Sequence, residues 1–448
     1  MCGLIAYYNA NQEGGFTAVN QALDAMSYRG DPMSRGVTRR GNWVIGHNRL
    51  AIQDLSPAGA QPIEEDHYSV AFVGEFFVPG SEREFFREQF RPESRSRLKE
   101  ADGFWSIVSA HDAGFLDAYT DHLGIKPLYF WEDAGIICSE LSPMFAIRPA
   151  PDFDHIHLAT LVKHGFDYSG RTPYKGIVQI PPGHRLVIDP NYDVEILPYW
   201  NIFEERIKAP QTAESLRQLL FTAVSNRMTS DVPVCLLLSG GLDSSFIYYA
   251  MKELGVTPKV FSVDNGESEF LPEEVELLDP VVPAHILEIA LQSMQTPSDL
   301  GSMVPQYLLG QAVHAAGYKV AISGDGADEL FGGYRRSQEY DSQMTDTMQE
   351  LPFYHLPRLD RQMMRHTVEL RSPFLAPDVV RFAFGLPRGK RTSKALLKEA
   401  ARGLVPDRII DRNKHPLKTK AVISGGYEYR QKLVNMFTNG VHNGIPTR

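Results

Sequence analysis

The sequence predicts two successive folds: a sheet-dominated α+β sandwich over residues 1–200 and a doubly wound α/β domain over residues 201–448. Three observations carry this. Residues 1–200 consist of short strand-like runs broken by Gly, Pro, Asn and Asp. After Trp200, apolar runs alternate with helical periods, the pattern of a parallel sheet covered by helices. A chain of 448 residues also has room for two domains of roughly 100–200 residues.

The elements follow in chain order. Few segments of the first half carry a long helical period, and Phe16 to Met26 is the best of them. Trp43 to Gly46, Tyr68 to Val73, Trp105 to Ser109 and Ile136 to Cys138 read as strands. The domain boundary is expected within Asn201 to Pro210. Ala213 to Met228 places Leu216, Leu219, Leu220, Ala223 and Val224 on one helical face. An apolar strand, Val232 to Leu238, leads through a Gly/Ser turn into a helix closed by Gly255. Lys259 to Val263 and Lys319 to Ile322 are further strands, and the tail after Asn439 is expected to be loose.

Composition excludes several classes. Hydrophobic residues at 43% and charged residues at 22% are globular values, which rules out a disordered chain or a fibrous rod. No apolar run approaches the roughly 18 residues a membrane helix needs, and the N-terminus lacks the basic start of a secretory signal. The net charge of −10 leaves no basic excess for phosphate backbones, so nucleic acid is not an expected partner. Three cysteines, Cys2, Cys138 and Cys235, make no disulfide framework, and a reducing cytoplasm is expected.

Two Gly-rich clusters carry chemistry. Ser239-Gly240-Gly241-Leu242-Asp243-Ser244-Ser245 follows a strand and opens a helix, where backbone N–H groups and the helix terminus favour an anion. Asp243 repels a phosphate unless a Mg²⁺ bridges the two. Ser323-Gly324-Asp325-Gly326-Ala327-Asp328-Glu329 also follows a strand, so both clusters can meet in one crevice at the carboxyl ends of a parallel sheet. Taken singly, each also reads as a capped turn or a solvated acidic loop. At the other end, Cys2 follows the initiator. Removal of Met1 would leave a thiol beside a free α-amine, which can act as its base.

These motifs resemble a known family. The 239–245 run resembles the PP-loop of ATP pyrophosphatases, and with 323–334 it is similar to the synthetase domain of glutamine-dependent asparagine synthetases. Leu359-Asp360-Arg361, Val368 to Leu375, Thr392 to Ala400 and Pro406 to Lys414 continue the likeness. Cys2-Gly3-Leu4-Ile5-Ala6, Arg29-Gly30-Asp31, Gly46 to Ile52, Gln61-Pro62, Gly74-Glu75, Asp102-Gly103 and Asp121 to Tyr129 resemble class II (Ntn-hydrolase) glutamine amidotransferases. The resemblance covers nearly the whole chain.

It implies the following roles. Cys2 attacks the side-chain amide of glutamine and releases ammonia. Arg49 grips the glutamine α-carboxylate, Glu75 and Asp102 hold its α-amine, and Ile52 and Gly74 complete that pocket. ATP lies on Leu238 to Gly241 and Asp243 to Ser245, with Val263, Ser323 and Gly324 around the adenosine. Asp243 and Asp328 hold Mg²⁺. A carboxylate, aspartate first, attacks the α-phosphorus; Lys414 stabilises the charge, and Asp325 and Glu369 orient the nucleophile or take its proton. The implied partners are these small molecules, with a homodimer left open.

The chain departs from the family pattern in three places. Val73 stands where the family has an asparagine that donates into the oxyanion hole; losing one such donor typically costs about 10²–10³ in rate. The 264–318 segment is short, and Ala376 follows Phe374-Leu375 where an aspartate is usual. The last two flank the acyl site, so another carboxylate remains open. Cys2 with an acid at 325 favours intermolecular amidation over β-lactam or lasso-type ring closure. A tRNA-modifying PP-loop enzyme and a non-catalytic ATP sensor are the remaining alternatives.

Overall fold

The computed structural model describes residues 2–9, 13–78, 80, 82–89, 97–202, 204, 211–264, 266, 268–279, 284–298, 301–334, 348–412 and 427–442. The first half is built on two antiparallel six-stranded sheets. One runs in the order Ile177–Gln179, Tyr129–Trp131, Ile136–Cys138, Gly3–Tyr8, Trp43–Asn48, Arg35–Arg40. The other runs Val194–Pro198, His184–Ile188, Leu116–Thr120, Gly103–His111, Tyr68–Phe76, Ile63–Glu64.

Their inner faces share one core. Leu4, Ala6 and Ile45 from the first sheet pack with Ala71, Val73, Val108, Ala118 and Leu186 from the second. Alternation along Gly3–Tyr8 sends Ile5 to the opposite face, against Val19, Ala22 and Leu23 of the helix Gly15–Ala25. On the far side Phe85 and Phe86 of the helix Glu82–Gln89 cover Phe72, Phe76 and Trp105. The result is a helix–sheet–sheet–helix stack.

In the second half five strands lie parallel in the order Glu276–Leu278, Lys259–Val263, Val234–Leu237, Val320–Ile322, Glu369–Arg371. Val234–Leu237 is central and feeds the helix Leu242–Glu253. The helix Ala213–Met228 has the bounds its period predicts. Two short strands escape sequence reading. Glu276–Leu278 and Glu369–Arg371 have three residues each, too few for a period to register.

Residues 203 and 205–210 of the expected boundary lie outside the described residues. So does the chain after His442; the last helix, Tyr427–His442, runs three residues into the tail expected to be loose after Asn439. No described helix is long and apolar enough to cross a membrane, and all three cysteines are free and buried.

The halves meet through buried charge. Asp360 of the second half accepts from Arg29 and from Lys126 Nζ (2.9 Å), and Arg29 also donates to Glu140.

Candidate active site

The two Gly-rich clusters lie at the carboxyl ends of the neighbouring parallel strands Val234–Leu237 and Val320–Ile322. Leu238 N–H donates to Phe261 O (3.0 Å), Gly240 turns at φ 74°, and Ser239 and Ser244 hydroxyls meet at 3.1 Å. Gly241 caps the helix start without a side-chain bond, leaving first-turn N–H groups for an anion. A Cβ on Gly324 would come within 2.8 Å of Ser244 N, so only glycine lets the second loop press against the first. Between them opens a cleft of about 620 Å³. Leu238, Ser239, Gly241, Asp243, Ser244, Val263, Ser323, Gly324, Asp325 and Asp328 line it. Gly240 and Ser245 shape the loop without lining the cleft.

Asp243 and Asp328 converge on one cation, Lys394 Nζ, at 2.5 and 2.7 Å for Asp243 and 2.6 Å for Asp328. Burial works against the ammonium, and the two carboxylates overcome it, holding its pKa well above the usual lysine value. Ser393 and Lys394 both adopt left-handed backbone (φ 55° and 60°). Their N–H groups donate to Gly332 O (3.1 Å) and Phe331 O (2.8 Å), folding this turn onto the acidic loop. Left-handed backbone costs about 1–2 kcal/mol per residue, offset here by the ion pairs. Two carboxylates that converge on one positive centre also fit a divalent cation such as Mg²⁺.

Asp325 accepts from Arg358 Nη2 (2.7 Å) and Ser323 Oγ (2.8 Å). Glu369 does not line the cleft. It is fully buried, takes Arg371 Nε at 2.7 Å, and no hydrogen bond joins it to Asp325 among the described residues. Lys414 lies outside the described residues. Sequence reading missed Lys394 and Arg358. Nothing in the chain separates Lys394 from Lys390 or Lys398; only the fold does.

In the first half Cys2 enters the sandwich core with Val73. Its Sγ accepts from Leu50 N–H at 3.4 Å, and burial pushes the thiol up to about 11. Neutral solution therefore leaves it protonated, and attack requires a base at hand. Gly74 holds φ 119°, and a Cβ there would lie 1.9 Å from Phe104 O, which no side chain can meet.

The expected glutamine pocket is closely held. Arg49 donates to the carbonyls of Gln53 (3.1 Å), Asp54 and Ser56 (3.3 Å). Ile52 is buried, and its carbonyl accepts from Asp231 N–H (2.9 Å). Glu75 accepts from Gln53 Nε2 (2.6 Å); burial and the nearby Glu369 raise its pKa well above the usual range. Asp102 pairs through both carboxylate oxygens with Arg227 of the second half.

Fold and site define a two-part protein, with a buried thiol at position 2 and a Gly-rich, acid-lined cleft at the carboxyl ends of a parallel sheet. The family model described as asparagine synthase matches residues 215–349 and 339–434. That described as a glutamine amidotransferase domain matches residues 1–98 and 81–200. The chain belongs to the glutamine-hydrolysing asparagine synthetase family, with both domains.

Among its relatives, Amidase chyE of Penicillium rubens is 28% identical over 81% of this chain and 63% of its own length. Amidase chry2 of Gibberella zeae is 27% identical over 75% of this chain and 59% of its own. Asparagine synthetase [glutamine-hydrolyzing] 1 of Bacillus subtilis is 26% identical over 82% and 63%. The chain thus spans about six-tenths of the length of these relatives.

Proposed function

We propose that the chain is a glutamine-dependent amidotransferase of asparagine-synthetase type. It would join an Ntn-hydrolase-type domain (1–200) to a PP-loop domain (201–448). The observation that carries this is the convergence of Asp243, Asp328 and Lys394 in the cleft where both Gly-rich loops end.

ATP binds with its phosphates on the 239–245 turn. A substrate carboxylate oxygen attacks the α-phosphorus, pyrophosphate leaves, and an acyl-adenylate forms. Lys394, released from its carboxylates or sharing them, neutralises charge on the departing phosphates. Asp243 and Asp328 are the residues that would hold Mg²⁺, which would supply positive charge against the phosphates. Arg358 fixes Asp325 at the acyl end, where its carboxylate can take a proton from the incoming ammonia. Ammonia attacks the acyl carbon, the C–O bond to phosphorus breaks, and the amide and AMP leave. Ammonia comes from glutamine at Cys2, with Arg49, Ile52, Gly74, Glu75 and Asp102 around the glutamine backbone. Lys414 and Glu369 are further candidates for charge stabilisation and proton transfer.

Aspartate is the first candidate substrate. Two relatives named amidases, together with Ala376 beside the acyl site, favour a second reading in which another carboxylate is amidated. Mass spectrometry of products with Mg-ATP, aspartate or a carboxylate panel, and glutamine or ammonium decides. Asparagine with AMP supports the first reading. An amide of another acid with AMP supports the second. ADP in place of AMP rejects both.

A further inference from the structure

We propose that Arg227, from the C-terminal half, positions the Asp102 carboxylate for the α-ammonium of glutamine, so that the glutamine pocket is complete only when the two halves are docked. This rests on the reading of Asp102 and Glu75 as glutamine receptors.

Arg227 lies in the last turn of the helix Ala213–Met228 and is 1% exposed. Its Nη1 and Nη2 donate to Asp102 Oδ2 and Oδ1 at 2.6 and 2.7 Å, a two-point fork that fixes the plane of the carboxylate. The adjacent Asn226 Nδ2 adds a third bond at 2.8 Å. Asp102 nevertheless keeps 25% of its side chain exposed. A carboxylate offers about four acceptor sites, so one remains for an ammonium. Burial opposes ionisation of Asp102, and Arg227 with Asn226 outweigh it, keeping the group below the usual carboxylate range.

The rest of the pocket is tied to the same stretch of chain. Asp231 N–H donates to Ile52 O, and Asp231 Oδ2 accepts from Asp54 N–H (2.8 Å). Arg371 donates to the carbonyls of Arg227 (2.9 Å) and Thr229 (2.7 Å), and its Nη2 stands 3.9 Å from Glu75 Oε2. The guanidinium groups of the two arginines share the ring of Phe77, at 4.8 and 5.3 Å from its centroid. Arg227 on Asp102 and Arg371 near Glu75 thus bring second-half arginines to both proposed ammonium receptors. This stretch runs directly into the strand Val234–Leu237 and the nucleotide turn.

The test compares full-length wild type, Arg227→Met, Arg227→Lys and the milder Asn226→Ala in glutamine hydrolysis. Hydrogen bonds to charged groups are worth about 1.5–3 kcal/mol. Arg227→Met is therefore expected to raise KM for glutamine about tenfold or more, with a smaller change in kcat. Arg227→Lys should recover part of the loss. Asn226→Ala, which leaves the arginine in place, should raise KM severalfold and keeps the test open if Arg227→Met does not fold. An unchanged KM in these variants, or a fall in kcat alone, overturns the proposal while leaving the functional reading intact. A wild-type protein that neither binds nor hydrolyses glutamine overturns both.

Discussion

Lys394 donates to both carboxylate oxygens of Asp243, at 2.7 and 2.5 Å, from a backbone turn held in the left-handed region. On the proposed function, a lysine placed at such conformational cost, between two acids in the cleft, is expected to work in the adenylation step. Lys394→Met should lower amide formation about 10²–10³-fold, equally with glutamine and with ammonium, while glutamine hydrolysis persists. Rates near wild type from ammonium would remove Lys394 from the chemistry.

On the proposed function, Cys2 serves only in ammonia supply. Cys2→Ala should abolish glutamine hydrolysis and glutamine-dependent amidation and leave ammonium-dependent amidation within about twofold, as measured by product mass spectrometry. Persistence of glutamine-dependent product in this variant would place the nucleophile elsewhere.

On the proposed function, Val73, in the same core as Cys2, stands where an oxyanion donor would be expected. Val73→Asn is expected to raise kcat for glutamine hydrolysis about tenfold, followed by ammonia release. The buried amide needs a partner, so some loss of thermal stability should accompany the gain. A folded variant with kcat unchanged or lower would mean that backbone N–H groups alone form the hole.

Asp360 anchors the two halves by accepting from Arg29 and Lys126. Burial opposes its charge, yet these cations hold its carboxyl well below the usual range. Its contribution to stability is therefore present above the unfolded-state value near ~4 and is lost as pH falls toward the lower folded value. Asp360→Asn leaves Arg29 and Lys126 poorly paired and should cost about 3–5 kcal/mol at neutral pH. Urea unfolding should show this gap narrowing as pH drops below ~4. A gap that is small at pH 7, or constant with pH, would contradict the account.

The sequence made some features plain and hid others for physical reasons. Ala213–Met228 and Lys259–Val263 match their structural bounds because amphipathic period and β-branched content are local properties. The two Gly-rich turns were legible because glycine, serine and aspartate at those spacings have few other uses. Asp243 and Asp328, 85 positions apart, were both read as cation ligands; the ammonium of Lys394 that stands between them was not. Arg227 and Arg358 were likewise invisible. Each acts through a partner at least 33 residues away or in the other half, and no local pattern marks such a pairing.

The central claim is that a substrate carboxylate is activated by bonding to the α-phosphorus of ATP. It is tested most directly with an acid that supports turnover, labelled with ¹⁸O in its carboxylate, together with Mg-ATP and ammonium. The account predicts that one labelled oxygen appears in AMP, detected by mass spectrometry, with unlabelled pyrophosphate. Label in inorganic phosphate, or AMP without label, would contradict it.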